Sequence, residues 1–211
     1  MNREIALRII KKKLPFTEVH CNANQVIAAQ GSEIEFIYYL KKGWTRHSVV
    51  SDQGKESIFR ICAPGEFIGL TTLFKSGLFP ITATSLTPCD LRAFNKNSLE
   101  SFLLKHPHIM SVFLAELGDR VLKLQELKLA ADQQDAFRKV KDLLVHFADV
   151  FGTDLPNGKL IPFNLTQQVI ADFLGLSRPR VSICLKSLLE TGHIKRQDRY
   201  YVVPYFAPLE L

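Results

Sequence analysis

The sequence predicts an α+β protein: an N-terminal double-stranded, jelly-roll-like β-roll, a long central helix and a C-terminal winged helix-turn-helix. Three patterns predict it. Residues 19–95 break into short strand-prone runs punctuated by turn residues. Residues 108–131 carry an apolar seam at helical spacing. Leu165–Gly192, LTQQVIADFLGLSRPRVSICLKSLLETG, places Val169, Ile170, Phe173 and Leu174 on one helix, breaks at Gly175, and opens a second helix at Ser177 with Val181, Leu185, Leu188 and Leu189.

At the start, Asn2–Lys13 reads as a short helix with apolar Ile5, Ile9 and Ile10. Its terminal Lys11, Lys12 and Lys13 suit the negative end of a helix dipole. The strand-prone runs are Gln25–Ala29, Phe36–Lys41, Thr45–Ser51, Glu56–Cys62, Ile81–Ser85 and Asp90–Asn95. Gly31, Gly43, Asp52-Gln-Gly54, Pro64-Gly65 and Pro88 separate them. Short strands at this regular spacing fit a sandwich or a barrel-like roll.

In the central helix, Met110, Leu114, Leu117, Val121, Leu124, Lys128 and Ala131 recur at alternating intervals of four and three, the seam of a coiled coil. The spacing predicts a homodimer with Met110, Leu114, Leu117, Val121 and Leu124 at the interface; the same stripe also suits a helix packed on its own domain. Gln133–Phe151 offers another amphipathic helix, with Phe137, Val140, Leu144 and Phe147, to pack beneath the helix pair that follows. The predicted organisation is therefore a β-roll over 1–107, a dimerisation helix over 108–132 and a winged helix-turn-helix domain over 133–211.

The helix pair carries chemistry suited to a phosphate backbone. Thr166 can cap the first helix with Gln167 and Gln168 exposed beside it. Ser177 can cap the second, whose first turn tolerates Pro179 because that N–H lacks an intrahelical partner. Arg178, Arg180, Lys186, Lys195, Arg196 and Arg199 face only Glu190 and Asp198 in the same stretch, so positive charge gathers where phosphates would lie. Two strand-prone runs around a polar turn after Gly192 predict a hairpin wing. Thr166, Gln167, Gln168, Ser177, Arg178, Arg180, Ser182 and Lys186 are the candidate contacts to double-stranded DNA; an ordinary packed helical hairpin is the plainer alternative.

Composition narrows the class without naming a partner. The net charge of +6 suits a polyanion. No apolar run approaches the roughly 20 residues that span a bilayer, and MNREIALRIIKKKLPF lacks the apolar core of a signal peptide. A cytoplasmic protein with no membrane partner is expected. Cys21, Cys62, Cys89 and Cys184 are widely separated and form no C-x-x-C pair, which argues against a metal site or an iron–sulfur cluster. No nucleophile–base constellation, phosphate loop or paired carboxylate emerges, so no catalytic residue is assigned and an enzyme is not expected.

The order of β-roll, long helix and winged helix resembles the CRP/FNR superfamily of bacterial transcription regulators over nearly the whole chain. The motifs that carry the resemblance are GSEIEFIYYLKKG at Gly31–Gly43, APGEFIGLTTLF at Ala63–Phe74 and LTQQVIADFLGLSRPRVSICLKSLLETGHIK at Leu165–Lys195. The resemblance implies a cyclic-nucleotide-binding-like roll, a homodimer through the central helix, recognition helices in successive major grooves and an effector held inside the roll. For an activator it also implies RNA polymerase as a partner.

The departures from the family pattern matter as much. Cyclic-AMP-binding relatives place a Glu on the ribose and an Arg-Ser or Arg-Thr pair on the cyclic phosphate, and the matching positions here are Leu70, Pro80 and Ile81. A buried phosphodiester without its guanidinium loses several kcal/mol, which argues against cyclic AMP. The oxygen-sensing branch uses an N-terminal cysteine cluster, where this chain has only Cys21. Phe67, Ile68, Leu70, Pro80 and Ile81 form an apolar cassette that can line a pocket for an uncharged or aromatic small molecule or close on itself as core. The effector is left open.

The recognition helix departs as well. The family pattern Ser-Arg-Glu-Thr-Val, with a second Arg two positions on, is here Ser177-Arg178-Pro179-Arg180-Val181 and then Ile183. Arg178 keeps its place and can donate two hydrogen bonds to guanine. Pro179 cannot accept from cytosine. A DNA-binding transcription regulator is the leading reading; a ligand-binding regulatory module acting through protein partners is the alternative.

Overall fold

The computed structural model describes residues 3–205 apart from 55, 76 and 132–134, and the side chains of residues 3, 4 and 123–131 are likewise outside the description. The chain divides into two compact units, residues 1–50 with 61–130 and residues 51–60 with 131–211.

The first unit opens with helix α1 (Arg3–Lys13). Ala6, Leu7 and Ile10 form its buried stripe, whereas Ile5 is half exposed. Of the sequence-predicted stripe Ile5, Ile9 and Ile10, Ile10 is buried and Ile9 packs partly against the core, while Ile5 is left to solvent and Ala6 and Leu7 take inward places. Strands β1 (Thr17–Cys21), β2 (Val26–Ala28), β3 (Phe36–Lys42), β4 (Thr45–Val50), β5 (Glu56–Cys62), β6 (Phe67–Ile68), β7 (Thr82–Ser85) and β8 (Cys89–Asn95) follow in chain order, residues 56–60 of β5 being counted with the second unit. They form two four-stranded sheets ordered β1-β8-β3-β6 and β2-β7-β4-β5, a jelly-roll-like β-roll as the sequence predicts.

The β3–β4 hairpin turns at Gly43, whose φ is +89°. A Cβ there would stand 2.3 Å from the Pro88 carbonyl oxygen and 2.7 Å from Cys89 Sγ, so only glycine fits. Between the sheets, Leu40, Cys62, Ile68, Ala83 and Leu91 pack without solvent contact or nearly so.

Two helices close the roll. The first, α2 (Lys96–Lys105), is capped by Asn95, whose Oδ1 accepts from the Ser98 amide at 3.1 Å, and it buries Leu99, Phe102 and Leu103. The long helix α3 (Pro107–Ala131) starts with proline at its first position, where the missing N–H is harmless. Ile109 and Phe113, one turn apart, anchor α3 in the cluster that holds Phe67, Phe94 and Leu103.

In the second unit, α4 (Ala136–Phe151) begins at Asp135, whose Oδ1 accepts from the Arg138 amide at 2.8 Å. Its buried row is Val140, Leu143, Leu144, Phe147 and Ala148, while Phe137 is half-buried. The Phe147 ring meets Phe163 edge-on at 6.0 Å and Phe173 at 5.3 Å. Helices α5 (Gln167–Leu174) and α6 (Arg178–Glu190) follow the hairpin of β9 (Thr153–Leu155) and β10 (Gly158–Leu160). Strands β11 (Lys195–Gln197) and β12 (Tyr200–Pro204) complete a sheet ordered β11-β12-β10-β9. No helix among the described residues is long and apolar enough to cross a membrane.

Candidate nucleic-acid interface

Local chemistry sets the helix pair. Thr166 Oγ1 accepts from the Val169 amide at 3.2 Å, the expected cap of α5. At the other end Gly175 takes the left-handed conformation, φ 67°. The amides of Gly175 and Leu176 both donate to the Ala171 carbonyl, which ends the helix and turns the chain. Ser177 stands at the start of α6 but makes no side-chain capping bond, contrary to the sequence expectation. Pro179 in the first turn leaves one amide fewer to satisfy, and the Ser177 hydroxyl is exposed to solvent.

Against the core, α6 sets Val181, Cys184, Leu185 and Leu188. Leu189, grouped with the apolar row from spacing alone, is 36% exposed, and Cys184 takes the inward place instead. Burial pushes the Cys184 thiol above its ordinary value, and the Arg180 charge pulls it partly back. Outward, the helix presents Arg178, Pro179, Arg180, Ile183, Lys186 and Glu190, with Ser182 half-buried. Arg178 and Arg180 make no hydrogen bond or ion pair among the described residues. Lys186 Nζ lies 3.8 Å from Glu190 Oε1, an exposed pair one turn apart. The paired glutamate offsets part of that lysine's charge.

Two candidate glutamines are engaged within the protein. Gln167 Nε2 donates to Ser182 Oγ at 3.3 Å and so ties α5 to α6. Gln168 Nε2 donates to Asp172 Oδ1 at 2.8 Å. Neither pairing is visible in a list of exposed polar residues, although Gln168 and Asp172 stand at i, i+4.

The wing adds charge that spacing had counted but not assigned. Lys195 and Arg196 lie on β11, paired with Val202 and Tyr201 of β12, and all three side chains Lys195, Arg196 and Arg199 are exposed. Asp198, with φ 54°, makes the turn, and Arg196 Nε donates to its carbonyl at 3.1 Å. Behind the wing, His193 is buried and its Nδ1 lies 2.8 Å from Thr191 Oγ1. The same hydroxyl lies 2.8 Å from the Ser187 carbonyl oxygen, to which it can donate.

In the roll, Phe67, Ile68 and Leu70 are core. The Phe67 ring packs on Tyr39, Phe113 and Phe94 at centroid distances of 5.3, 5.1 and 6.4 Å. Pro80 is exposed and Ile81 half-buried. A cavity of about 280 Å³ in the roll is lined by Val26, Ser32, Glu35, Tyr38 and Phe79 among others, and by none of Phe67, Ile68, Leu70, Pro80 and Ile81. Unforeseen from sequence, Cys62 Sγ and His47 Nε2 meet at 3.3 Å inside the roll, both buried. Among the described residues no group of three or more His, Cys, Asp or Glu is placed to hold a metal ion.

Along α3, Leu114 and Val121 are 55% and 54% exposed, whereas Met110 and Leu117 pack partly against the roll's own core. The Leu124 side chain lies outside the described residues, as do those of Lys128 and Ala131. Arg120 reaches back one turn to Glu116, and both side chains are largely buried.

Residues 18–106 match the cyclic nucleotide-binding domain family, and residues 138–210 match the Crp-like helix-turn-helix domain family. The chain belongs to the CRP/FNR superfamily of transcription regulators. It is 25% identical over 202 residues to the global nitrogen regulator of Synechococcus elongatus, covering 94% of this chain and 90% of that protein. It is 23% identical over 177 residues to the CRP-like cAMP-activated global transcriptional regulator of Mycobacterium tuberculosis, covering 84% and 79%. Among solved structures, the c-di-GMP responsive global regulator CLP of Xanthomonas campestris superposes with a TM-score of 0.80 at 17% identity, covering 96% of this chain and 100% of that one. FixK2 of Bradyrhizobium japonicum gives 0.78 at 19% identity, covering 90% and 93%. CRP/FNR proteins are transcription regulators rather than enzymes, and the Crp-like helix-turn-helix domain implies binding to DNA.

Proposed function

We propose that this CRP/FNR regulator works as a homodimer joined along α3, that α6 enters the major groove with Arg178 reading a base, and that the roll responds to a signal other than cyclic AMP. The observation that carries the DNA reading is the pair Arg178 and Arg180: both are exposed at the start of α6 with no hydrogen bond or ion pair among the described residues, where a recognition helix meets base edges. A guanidinium held in solvent there is available for bidentate bonds to guanine O6 and N7. Thr166, Gln167, Gln168, Ser177, Ser182 and Lys186 then serve to position the helix on phosphates.

Dimerisation is supported by exposed Leu114 and Val121, seven residues apart on one face of a helix whose other face is already packed. For the roll, Leu70 is 3% exposed and Ile81 half-buried, so the positions aligned with the ribose and phosphate ligands of cyclic-AMP regulators offer hydrocarbon. Only some of the relatives are by name cAMP-activated: one is, another is a global nitrogen regulator, and that of Bacillus subtilis is an anaerobic regulatory protein. Phe67, Ile68 and Leu70 of the apolar cassette are packed as core, so an effector in the roll would use the cavity at Val26, Tyr38 and Phe79 instead. Where the bound dimer activates, RNA polymerase is its partner.

The test is selection of duplexes from a random pool by the full-length protein, followed by affinity measurement across salt. Enrichment of a palindromic site with a steep salt slope is the expected result. Salt-independent or absent binding would overturn the reading.

A further inference from the structure

Ile183 is 66% exposed, more than any other large apolar side chain among the described residues. A lone exposed isoleucine is ordinary on a protein surface. Its position on α6 is not. The buried row Val181, Cys184, Leu185 and Leu188 points inward, and Pro179, Ile183, Lys186 and Glu190, at successive spacings of four, three and four, form the row that faces away from it. Ile183 sits at the middle of that row, between the two exposed arginines at the helix start and Lys186.

Neither Ile183 nor Pro179 carries a side-chain donor or acceptor, so they can take neither a phosphate oxygen nor a polar base edge. Against guanine, adenine or cytosine they would strip water from polar atoms and return nothing. The major groove offers one apolar group at a base edge, the thymine C5 methyl. We infer that Ile183, backed by Pro179, is a specificity-determining residue that packs on a thymine methyl in the major groove. The inference rests on the reading of α6 as the recognition helix and adds one defined base preference to it.

The experiment uses the full-length protein and its selected duplex, with each dT replaced in turn by deoxyuridine, which lacks only the methyl. Burial of one methyl predicts about fourfold weaker binding at one dT per half-site, and about 15-fold when both half-sites are changed. Ile183→Ser, a change at a solvent-exposed position, should bind the dT and deoxyuridine duplexes equally. The inference is overturned alone if the wild-type protein binds its duplex with the salt slope expected but ignores every methyl, or if Ile183→Ser keeps the discrimination. If the protein retains no duplex at any salt concentration, the recognition-helix reading and the inference fall together.

Discussion

Gln167 Nε2 donates to Ser182 Oγ at 3.3 Å, joining the first residue of α5 to the second turn of α6. The bond sits between residues fifteen apart in sequence and helps set the angle at which the arginines of α6 are presented. Gln167→Ala should therefore cost about 0.5–1.5 kcal/mol of stability and weaken binding to all duplexes by a similar factor, leaving base preference intact. Thermal melting and affinities on single-base variants of the selected site measure both effects. A changed base preference would make Gln167 a reader.

Arg178→Ala should behave oppositely. Its side chain is exposed and makes no hydrogen bond or ion pair among the described residues, so melting should be unchanged, while a lost bidentate contact costs roughly 1–3 kcal/mol per half-site and flattens preference at one base pair. The same panel of single-base variants reads this out. Uniform weakening would assign Arg178 to the backbone and leave Arg180 as the reader.

Leu114 and Val121 can be replaced without opening the roll's core, since each is more than half exposed. Leu114→Glu with Val121→Glu should turn a dimer into a folded monomer at micromolar concentration, because burying facing carboxylates opposes association by several kcal/mol. Sedimentation with circular dichroism decides it. A variant that stays dimeric would place the interface elsewhere.

Cyclic AMP and cyclic GMP should give no heat in calorimetry at millimolar concentration, since Leu70, Pro80 and Ile81 supply no charge for a buried ribose phosphate. Micromolar binding would show that another cation had assumed the phosphate.

Burial raises the thiols of Cys21, Cys89 and Cys184 above their ordinary value. In the folded chain they keep protons that the unfolded chain releases, so stability should be flat below about pH 8 and fall as pH rises past about 8.5, where the unfolded thiols ionise. Urea midpoints from pH 7 to 9.5 follow the trend. Thiol reagents at pH 8 should label these cysteines only on unfolding, and rapid labelling of the native protein would contradict their burial.

What could be read directly from the chain is what short-range chemistry decides. Thr166 capping α5, Gly175 ending it, Pro179 inside the first turn of α6 and the hairpin at Asp198 each depend on contacts within about four residues. The order of roll, long helix and winged helix followed from hydrophobic period together with turn and cap residues, because period reports which face a segment can bury and the turn residues mark where it ends. The helix α2 had its signal in Asn95 and the row Leu99, Phe102 and Leu103, and the β9–β10 hairpin in Pro156-Asn157-Gly158, but both are short and compete with their flanks. Only tertiary structure decided partners and sides. Thr17–Cys21 becomes a strand because Cys89–Ala93, some 70 residues away, supplies its ladder, and the two-residue β6 exists only against β3. Ala6 and Leu7 rather than Ile5 face the core, Cys184 rather than Leu189 fills the inward row, and His47 meets Cys62 between strands. In each case the local sequence offers nearly equal choices, and the packing of distant side chains into one dense interior selects among them.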